Sequence, residues 1–306
     1  MIVEKYRKII LDAIPEGTVI PRHDESGHKY YIPSIDKTLR SVTEKLAIIK
    51  DPSLMNWKMN KALDYISRNW RNINEQTIMD IIDAAAKAPV EEFEDAGDVG
   101  RDIHSYREAY FKEWILTGNR PVNALDFIPK DERDIRVVSA IRALEKFCIK
   151  ENYIPLATEL YVYSEKYNIA GTLDDIGIML KISRKPNIEN CTEKHLSHYP
   201  KLGHFSCSKC GIMYKVQLVL SDLKTSNQIK TSFAYQIALY YGMFKELTGL
   251  TPKRNFVLKL SKIDGTYLIQ DIFQINKILS YAKAVLKVNE GENFVKKIFE
   301  RNTLIL

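Results

Sequence analysis

The sequence predicts an α/β fold, because helix-like spacing in the first half of the chain gives way to strand-like alternation in the second half. Between about residues 41 and 89, apolar residues recur at intervals of three and four, which is typical of one face of a helix. The segment ATELYVYSEKYNIAGTLDDIGIML, from Ala157, instead alternates as two strands joined by a turn over residues 165–168. YKVQLVLSDLKTS, from Tyr214, predicts a third strand. We therefore expect a mixed central sheet flanked by helices.

The remaining patterns fill out a single domain over residues 1–306. Two hairpins are predicted, turning at residues 24–27 and at Asp264-Gly265. Further helices are predicted over residues 1–14, 97–117, 131–150, 231–247 and 273–288. We divide the domain into a hairpin and helical portion at 1–96, a core at 97–288 and, within the core, an insertion at 183–215.

Composition and charge restrict the class of protein. With 306 residues, 45% of them hydrophobic, the chain can bury a sizeable core. Its apolar runs are interrupted by charges well before membrane-spanning length, and its first residues lack a leader pattern, so we expect a soluble intracellular protein. The net charge of +6 suits a polyanionic partner such as nucleic acid.

The end of the third strand carries an acid and a lysine on one face. Residues two apart in a strand share a face, so Asp222 and Lys224 lie on the same side. They form either a plain ion pair or half of a metal-dependent active site. Asp174 closes the motif AGTLD on the preceding strand, and both carboxylates face one pocket if the strands are neighbours. A divalent cation offsets the repulsion of two close carboxylates, and Mg²⁺ prefers oxygen ligands.

A set of motifs in a fixed order extends this pattern. In chain order they are GRDIH, ELYVYSEKYNIAGTLDDIG, LSDLKTS and SFAYQIALYYGMF, preceded by Ser41-Val42-Thr43 and a helix that carries Trp57. The succession resembles the PD-(D/E)XK nuclease superfamily, specifically its RecB-like exonuclease branch, which includes phage and mitochondrial genome maintenance exonucleases. The resemblance covers about residues 29–285. It implies a PD-(D/E)XK core and a catalytic Mg²⁺ or Mn²⁺ ion.

The resemblance also implies roles for individual residues. His104, Asp174 and Asp222 would ligate the catalytic metal with the backbone carbonyl of Leu223, and Lys224 would be the catalytic lysine. Other positions of the motifs would contact nucleic acid or brace the site: Gln236, Tyr240, Thr225 and Ser226. Glu159 would sit behind the ligands rather than among them. Plainer roles stay open for several of these residues: a core histidine at 104, helix packing at 236 and 240, and a strand cap at 225 and 226.

The insertion carries a pattern of its own. In CTEKHLSHYPKLGHFSCSKCG, Cys191 and His195 are followed by the pair Cys207 and Cys210. A Cys-x₂-Cys-Gly turn lets two thiolates converge on tetrahedral Zn²⁺, and a cysteine and a histidine complete four ligands. His198 or His204 would serve in place of His195. Some relatives of the RecB-like branch bind an iron–sulfur cluster through four cysteines, but the cysteine spacing here differs, so we expect a zinc knuckle.

These observations combine into one functional expectation and two alternatives. We expect a Mg²⁺- or Mn²⁺-dependent DNA exonuclease that hydrolyses phosphodiesters from free ends, in replication, recombination or repair. The partner would be DNA, single-stranded or with free ends. One alternative is a structure-specific endonuclease on the same core. The other is a non-catalytic DNA-binding or recombination accessory protein with a zinc knuckle.

Overall fold

A computed structural model describes residues 2–24, 27–49, 52–74, 77–184, 196–198, 204–207, 213–226 and 228–303. The chain divides into two compact units. The sheet unit comprises Met1–Ile48 and Tyr106–Leu306, and the helical unit comprises Ile49–Ser105. The sheet unit therefore contains both the start of the chain and everything after residue 105.

Ten strands form one mixed sheet within the described residues. They are β1 (Ile20–Asp24), β2 (Gly27–Ile32), β3 (Lys37–Ser41), β4 (Tyr153–Ser164), β5 (Ile169–Arg184), β6 (Leu196–His198), β7 (His204–Cys207), β8 (Met213–Lys224), β9 (Arg254–Leu260) and β10 (Tyr267–Asp271). The strand order is β1-β2-β3-β5-β8-β7-β6, with β4 also paired to β5 and β9 joining β8 to β10. The pairs β3–β5 and β8–β9 are parallel, and the others are antiparallel.

The helices are α1 (Ile2–Ala13), α2 (Val42–Leu46), α3 (Pro52–Asn69), α4 (Ile78–Thr117), α5 (Ile135–Lys150), α6 (Thr231–Thr248) and α7 (Ile275–Thr303). α6 packs against β4 and β9, while α5 packs against β4, β9 and β10. The predicted mixed sheet flanked by helices is thus confirmed. Both predicted hairpins are also present, as β1–β2 and β9–β10.

The middle of the sheet is buried because its strands are apolar on both faces. In β5, the residues from Ile176 to Leu180 are all buried, and Leu218, Val219 and Leu220 are their buried neighbours on β8. A strand covered on both faces is typically a continuous apolar run rather than an alternating one. Acidic residues in such strands are therefore exceptional, and they indicate where a functional site lies.

Two helices differ from the prediction. α4 continues through Pro89, where we expected an interruption before a separate helix at 97–117. Proline removes one backbone hydrogen bond, but the alanine-rich segment Ala84-Ala85-Ala86-Lys87-Ala88 before it strongly favours the helix. α7 extends to Thr303, well past the predicted end at residue 288. Within the described residues, no helix is both long and apolar enough to cross a membrane.

A candidate carboxylate site on three adjacent strands

Three acidic residues lie in a row across β4, β5 and β8. Thr158 pairs with Asp175 and Leu160 pairs with Leu173, so Glu159 on β4 falls opposite Asp174 on β5. Asp175 pairs with Ser221, so one further step of the same register sets Asp222 on β8 opposite Asp174 on its other side. Carboxylate oxygens of Glu159 and Asp174 lie within 4.8 Å of each other. The sequence-based interpretation required the second and third core strands to be neighbours, and their pairing is what brings Asp174 and Asp222 together.

Strand β8 holds the side chain of Asp174 directly. The backbone N–H of Leu223 donates a hydrogen bond to Asp174 Oδ2 at 2.6 Å, and Asp174 is 92% buried, with a relative exposure of 8%. In a strand, the N–H and C=O of one residue point toward the same neighbouring strand. The carbonyl of Leu223 is therefore also directed toward the β5 side, where the sequence analysis placed it as a metal ligand.

Asp222 and Lys224 share one strand face, as the alternation of β8 predicts. Lys224 Nζ lies 2.6 Å from Asp222 Oδ2, and Asp222 is only 1% exposed. Burial lowers the pKa of Lys224, but the carboxylates of Asp222 and Asp174 more than offset this effect, so its pKa is raised. The ammonium also lies 5.1 Å from the centre of the Phe233 ring. The lysine is thus a charged, partly covered donor at the edge of the acidic row.

Glu159 has an unusual backbone conformation. Its φ is +49°, in the left-handed region, although it lies inside β4. The register of β4 with β5 also shifts by one residue between Pro155 and Ala157. A left-handed conformation costs a non-glycine residue about 1–3 kcal/mol, and it persists only where surrounding contacts enforce it.

Glu159 was predicted to sit behind the metal ligands, whereas its carboxylate lies beside that of Asp174.

Arg107 on α4 makes the side-chain contact that holds Glu159. Its side chain is completely buried, and its Nη1 donates to Asp175 Oδ2 at 2.7 Å while its Nη2 donates to Glu159 Oε1. Burial lowers the pKa of Arg107, but Asp175, Asp174 and Glu159 together raise it above its ordinary value. Burial raises the pKa of Asp175 to about 7, against the lowering effect of Arg107 and with a further raising effect from Asp174. The two adjacent acids of β5 thus have different hydrogen-bond donors: the backbone N–H of Leu223 for Asp174, and Arg107 for Asp175.

Arg107 was not among the predicted site residues, although its position in the sequence indicates a buried charge. Tyr110, Phe111 and Trp114 are buried apolar residues further along α4. Arg107 precedes them by three, four and seven residues, so it occupies the same apolar stripe. A charged residue on such a stripe is buried and needs an opposite charge nearby. The spacing therefore indicates a buried ion pair, but not which acids form it.

Gln236 and Tyr240 lie on one face of α6, as their spacing predicts. Gln236 Nε2 donates to the Tyr240 hydroxyl at 3.3 Å, and Tyr240 is 4% exposed. Burial raises the pKa of Tyr240 well above its ordinary value, and Asp222 raises it further. The Tyr240 ring lies against Gly171 of β5, where a Cβ would be 2.8 Å from Tyr240 Cε1. Through this contact, Tyr240 packs against β5 behind the carboxylates.

The other residues predicted for the site lie just after β8 and on α4. Thr225 and Ser226 follow the end of β8, and the Ser226 hydroxyl donates to the backbone carbonyl of Gln228 at 2.8 Å. His104 belongs to the helical unit and lies on α4 three residues before Arg107. Positions three apart share a helix face, so His104 and Arg107 are on the same side of α4.

Most of the predicted zinc ligands fall outside the described residues. These are Cys191, His195 and Cys210, while Cys207 is described only as the last residue of β7. The backbone register sets Cys207 opposite Leu196 on β6, which is the residue that follows His195 in the sequence. Of the two arms of the predicted knuckle, the structure thus describes only the backbone pairing of Cys207 with Leu196. The zinc site itself stays a prediction.

The chain matches no known family model, and it has no match among the curated proteins. The chemistry of the site must therefore be argued from its geometry. A row of carboxylates with one lysine and one buried arginine can bind a divalent cation through oxygen atoms. The same row can hold the ammonium group of Lys224 next to a substrate that binds the cation.

Proposed function

We propose that this protein is a Mg²⁺- or Mn²⁺-dependent deoxyribonuclease that acts on DNA from free ends. The observation that carries the proposal is the row of Glu159, Asp174 and Asp222 on adjacent strands, with Lys224 2.6 Å from Asp222. Phosphodiester hydrolysis needs a nucleophilic oxygen and compensation for the negative charge that develops on the phosphate. Carboxylates alone supply neither, but carboxylates with a divalent cation and a lysine supply both.

The donor set fits a hard divalent cation. Asp174 and Glu159 offer oxygens within 4.8 Å of each other, and Asp222 is the next acid in the row. Without a cation, these neighbouring carboxylates repel one another, and Lys224 and Arg107 neutralise their charge only in part. Mg²⁺ or Mn²⁺ bound there would lower the pKa of a water molecule and polarise the phosphate. In this proposal His104 adds a nitrogen ligand and Leu223 a carbonyl oxygen.

The residues around the cation then have distinct tasks. Lys224 keeps its proton, because the neighbouring carboxylates raise its pKa, so its ammonium donates hydrogen bonds to the attacking or phosphate oxygen. The hydrogen bond from Leu223 fixes Asp174 in one orientation. Tyr240 packs against Gly171 and keeps β5 at a constant distance from α6. Thr225 and Ser226 follow the lysine at the end of β8 and are proposed to contact the DNA backbone with Gln236.

A second surface supports a polyanionic substrate. On the first three strands, Arg22 is directly opposite Lys29, and Lys29 is directly opposite Arg40. Like charges opposite each other destabilise a sheet, and Arg40 also lies 3.3 Å from Glu44. The Arg22 guanidinium also lies 4.1 Å from the centre of the Tyr31 ring. A phosphate backbone would offset this repulsion.

The experiment compares linear with covalently closed circular single-stranded DNA in the presence of Mg²⁺. We expect the linear form to be degraded and the circular form to stay intact, with excess EDTA stopping the reaction. DNA labelled at the 5′ or the 3′ end shows which end is used. Rapid cutting of closed circles would favour the endonuclease alternative, and the absence of cleavage with either metal on both substrates would refute the proposal.

A structural zinc in the insertion is a separate part of the proposal. Its support is the Cys-x₂-Cys-Gly turn and the backbone register that sets Cys207 next to the strand that follows His195. A zinc knuckle between β5 and β8 would join the two strands that carry Asp174 and Asp222. It would stabilise the fold there rather than take part in hydrolysis.

A further inference from the structure

Arg107 joins two acidic residues that come from neighbouring strands. Its Nη1 binds Asp175 on β5 at 2.7 Å, and its Nη2 binds Glu159 on β4. The guanidinium is completely buried, and Tyr110 and Phe111 beside it in the sequence are buried too. Away from water, the arginine fork holds two carboxylates in fixed positions, because its planar donors cannot rotate independently.

Glu159 depends on this contact more than an ordinary strand residue would. Its left-handed backbone is strained, so some interaction must repay the strain for the conformation to persist. Arg107 contacts its carboxylate, and Asp174 is an acid beside it. Without Arg107, the carboxylate of Glu159 would lose the contact that fixes its position, and it would move away from Asp174.

We propose that Arg107 is a positioning residue of the metal site, which holds Glu159 beside Asp174 and keeps Asp175 turned away from the cation. Arg107 binds one oxygen of each of its two acids and takes no part in the reaction. Asp174 and Asp175 are consecutive, so their side chains face opposite sides of β5, and Arg107 donates a hydrogen bond to Asp175. This inference rests on the proposed function, because it assumes that the cation binds at Glu159 and Asp174.

The rival explanation is that Arg107 forms an ion pair that matters only for stability. The two explanations differ in what they predict for metal affinity. A positioning residue behind metal ligands typically affects affinity by about 10- to 100-fold. A purely structural ion pair lowers the unfolding temperature but leaves the affinity of the folded protein unchanged.

The test uses the intact chain and Mn²⁺, with free Mn²⁺ measured by its electron paramagnetic resonance signal. The variants are Arg107→Gln, Arg107→Lys and, as a matched control, Arg254→Gln. Arg254 on β9 binds both oxygens of Asp271, at 2.6 and 3.1 Å, on strands that carry none of the proposed ligands. The thermal unfolding temperature of each variant is measured in the same buffer.

We expect Arg107→Gln to weaken Mn²⁺ binding by at least about tenfold, and Arg254→Gln to leave it unchanged even where it lowers the unfolding temperature. Arg107→Lys keeps the charge but loses the fork, so we expect an intermediate affinity. If the glutamine variant fails to fold, the lysine variant decides: reduced affinity supports the proposal, and wild-type affinity overturns it.

Two further outcomes separate this inference from the proposed function. Wild-type protein that binds Mn²⁺ while folded Arg107 variants bind it equally well would overturn the role of Arg107 and leave the proposed metal site intact. Wild-type protein that binds no Mn²⁺ would overturn both. An equal loss of affinity in the Arg254 control would show that destabilisation alone is responsible, and would also overturn the positioning role.

Discussion

The backbone N–H of Leu223 on β8 donates a 2.6 Å hydrogen bond to the carboxylate of Asp174 on β5. A main-chain group of one strand thus holds an acidic side chain of its neighbour. Because the N–H is buried with its acceptor, loss of the acceptor has a measurable cost.

The first prediction compares two substitutions of Asp174. In Asp174→Asn, the amide oxygen still accepts the bond from Leu223, whereas Asp174→Ala leaves a buried N–H without its acceptor. We expect the alanine variant to be less stable than the asparagine variant by about 1–3 kcal/mol in urea unfolding with EDTA present. Both substitutions remove the charge, so repulsion between the carboxylates falls equally in the two proteins. Equal stabilities would mean that the hydrogen bond is not important for the fold.

The second prediction concerns the contact between α6 and β5. Gly171→Ala places a Cβ 2.8 Å from Tyr240 Cε1, and a ring buried to this extent cannot move away freely. We expect a loss of about 1–3 kcal/mol in the free energy of unfolding. Gly291→Ala on α7 is the control, because no atom lies within 4 Å of its Cβ and alanine favours a helix over glycine. The control should be neutral or stabilising, and an unaffected Gly171→Ala protein would contradict the packing described.

The third prediction tests the strain at Glu159. Glu159→Gly and Glu159→Ala both remove the carboxylate and its contact with Arg107, but only glycine adopts a φ of +49° without strain. We expect the glycine variant to be the more stable of the two, by about 1 kcal/mol. Thermal unfolding at equal protein concentration measures the difference. An alanine variant of equal or higher stability would show that the left-handed conformation is not retained.

The fourth prediction concerns zinc. Purified wild-type protein should contain about one tightly bound zinc ion per chain by elemental analysis. Cys207→Ser or Cys210→Ser should release it, because the site then lacks one of four ligands. Cys148→Ser is the matched control, since Cys148 is buried in α5 and lies outside the insertion, so its variant should retain zinc. Wild-type protein without zinc, or with an iron–sulfur absorption band, would contradict the knuckle.

The acidic row shows which features of the site the sequence predicts and why. Alternation along β8 places Asp222 and Lys224 on one face, and the structure has them 2.6 Å apart. The adjacency of the second and third core strands was a condition of the sequence-based interpretation rather than a prediction, and β5 and β8 do pair. The fold class followed from the same periodicity. Side-chain alternation and fold class depend on local patterns, so the sequence is enough to predict them.

Glu159 and Arg107 show what such patterns leave out. Glutamate rarely adopts a left-handed conformation, so nothing in ATELYVYS, from Ala157, or in its surroundings marks residue 159 as strained. The contact between Arg107 and Glu159 joins residues 52 positions apart, and the choice of partner depends on how α4 lies against β4. The helix boundary at Pro89 was wrong because the surrounding alanines outweighed the proline. Long-range packing decides each of these cases.

The measurement that tests the central claim most directly is the initial rate of Mg²⁺-dependent hydrolysis of linear single-stranded DNA. It compares the wild-type protein with Asp222→Asn and Lys224→Met, with Lys215→Met as a control on the exposed part of the same strand. The proposed site predicts that both site variants fold, bind DNA and lose at least about 10²-fold in rate, while the control keeps the wild-type rate. Site variants that cleave at near wild-type rates, or wild-type cleavage that continues in excess EDTA, would contradict the account.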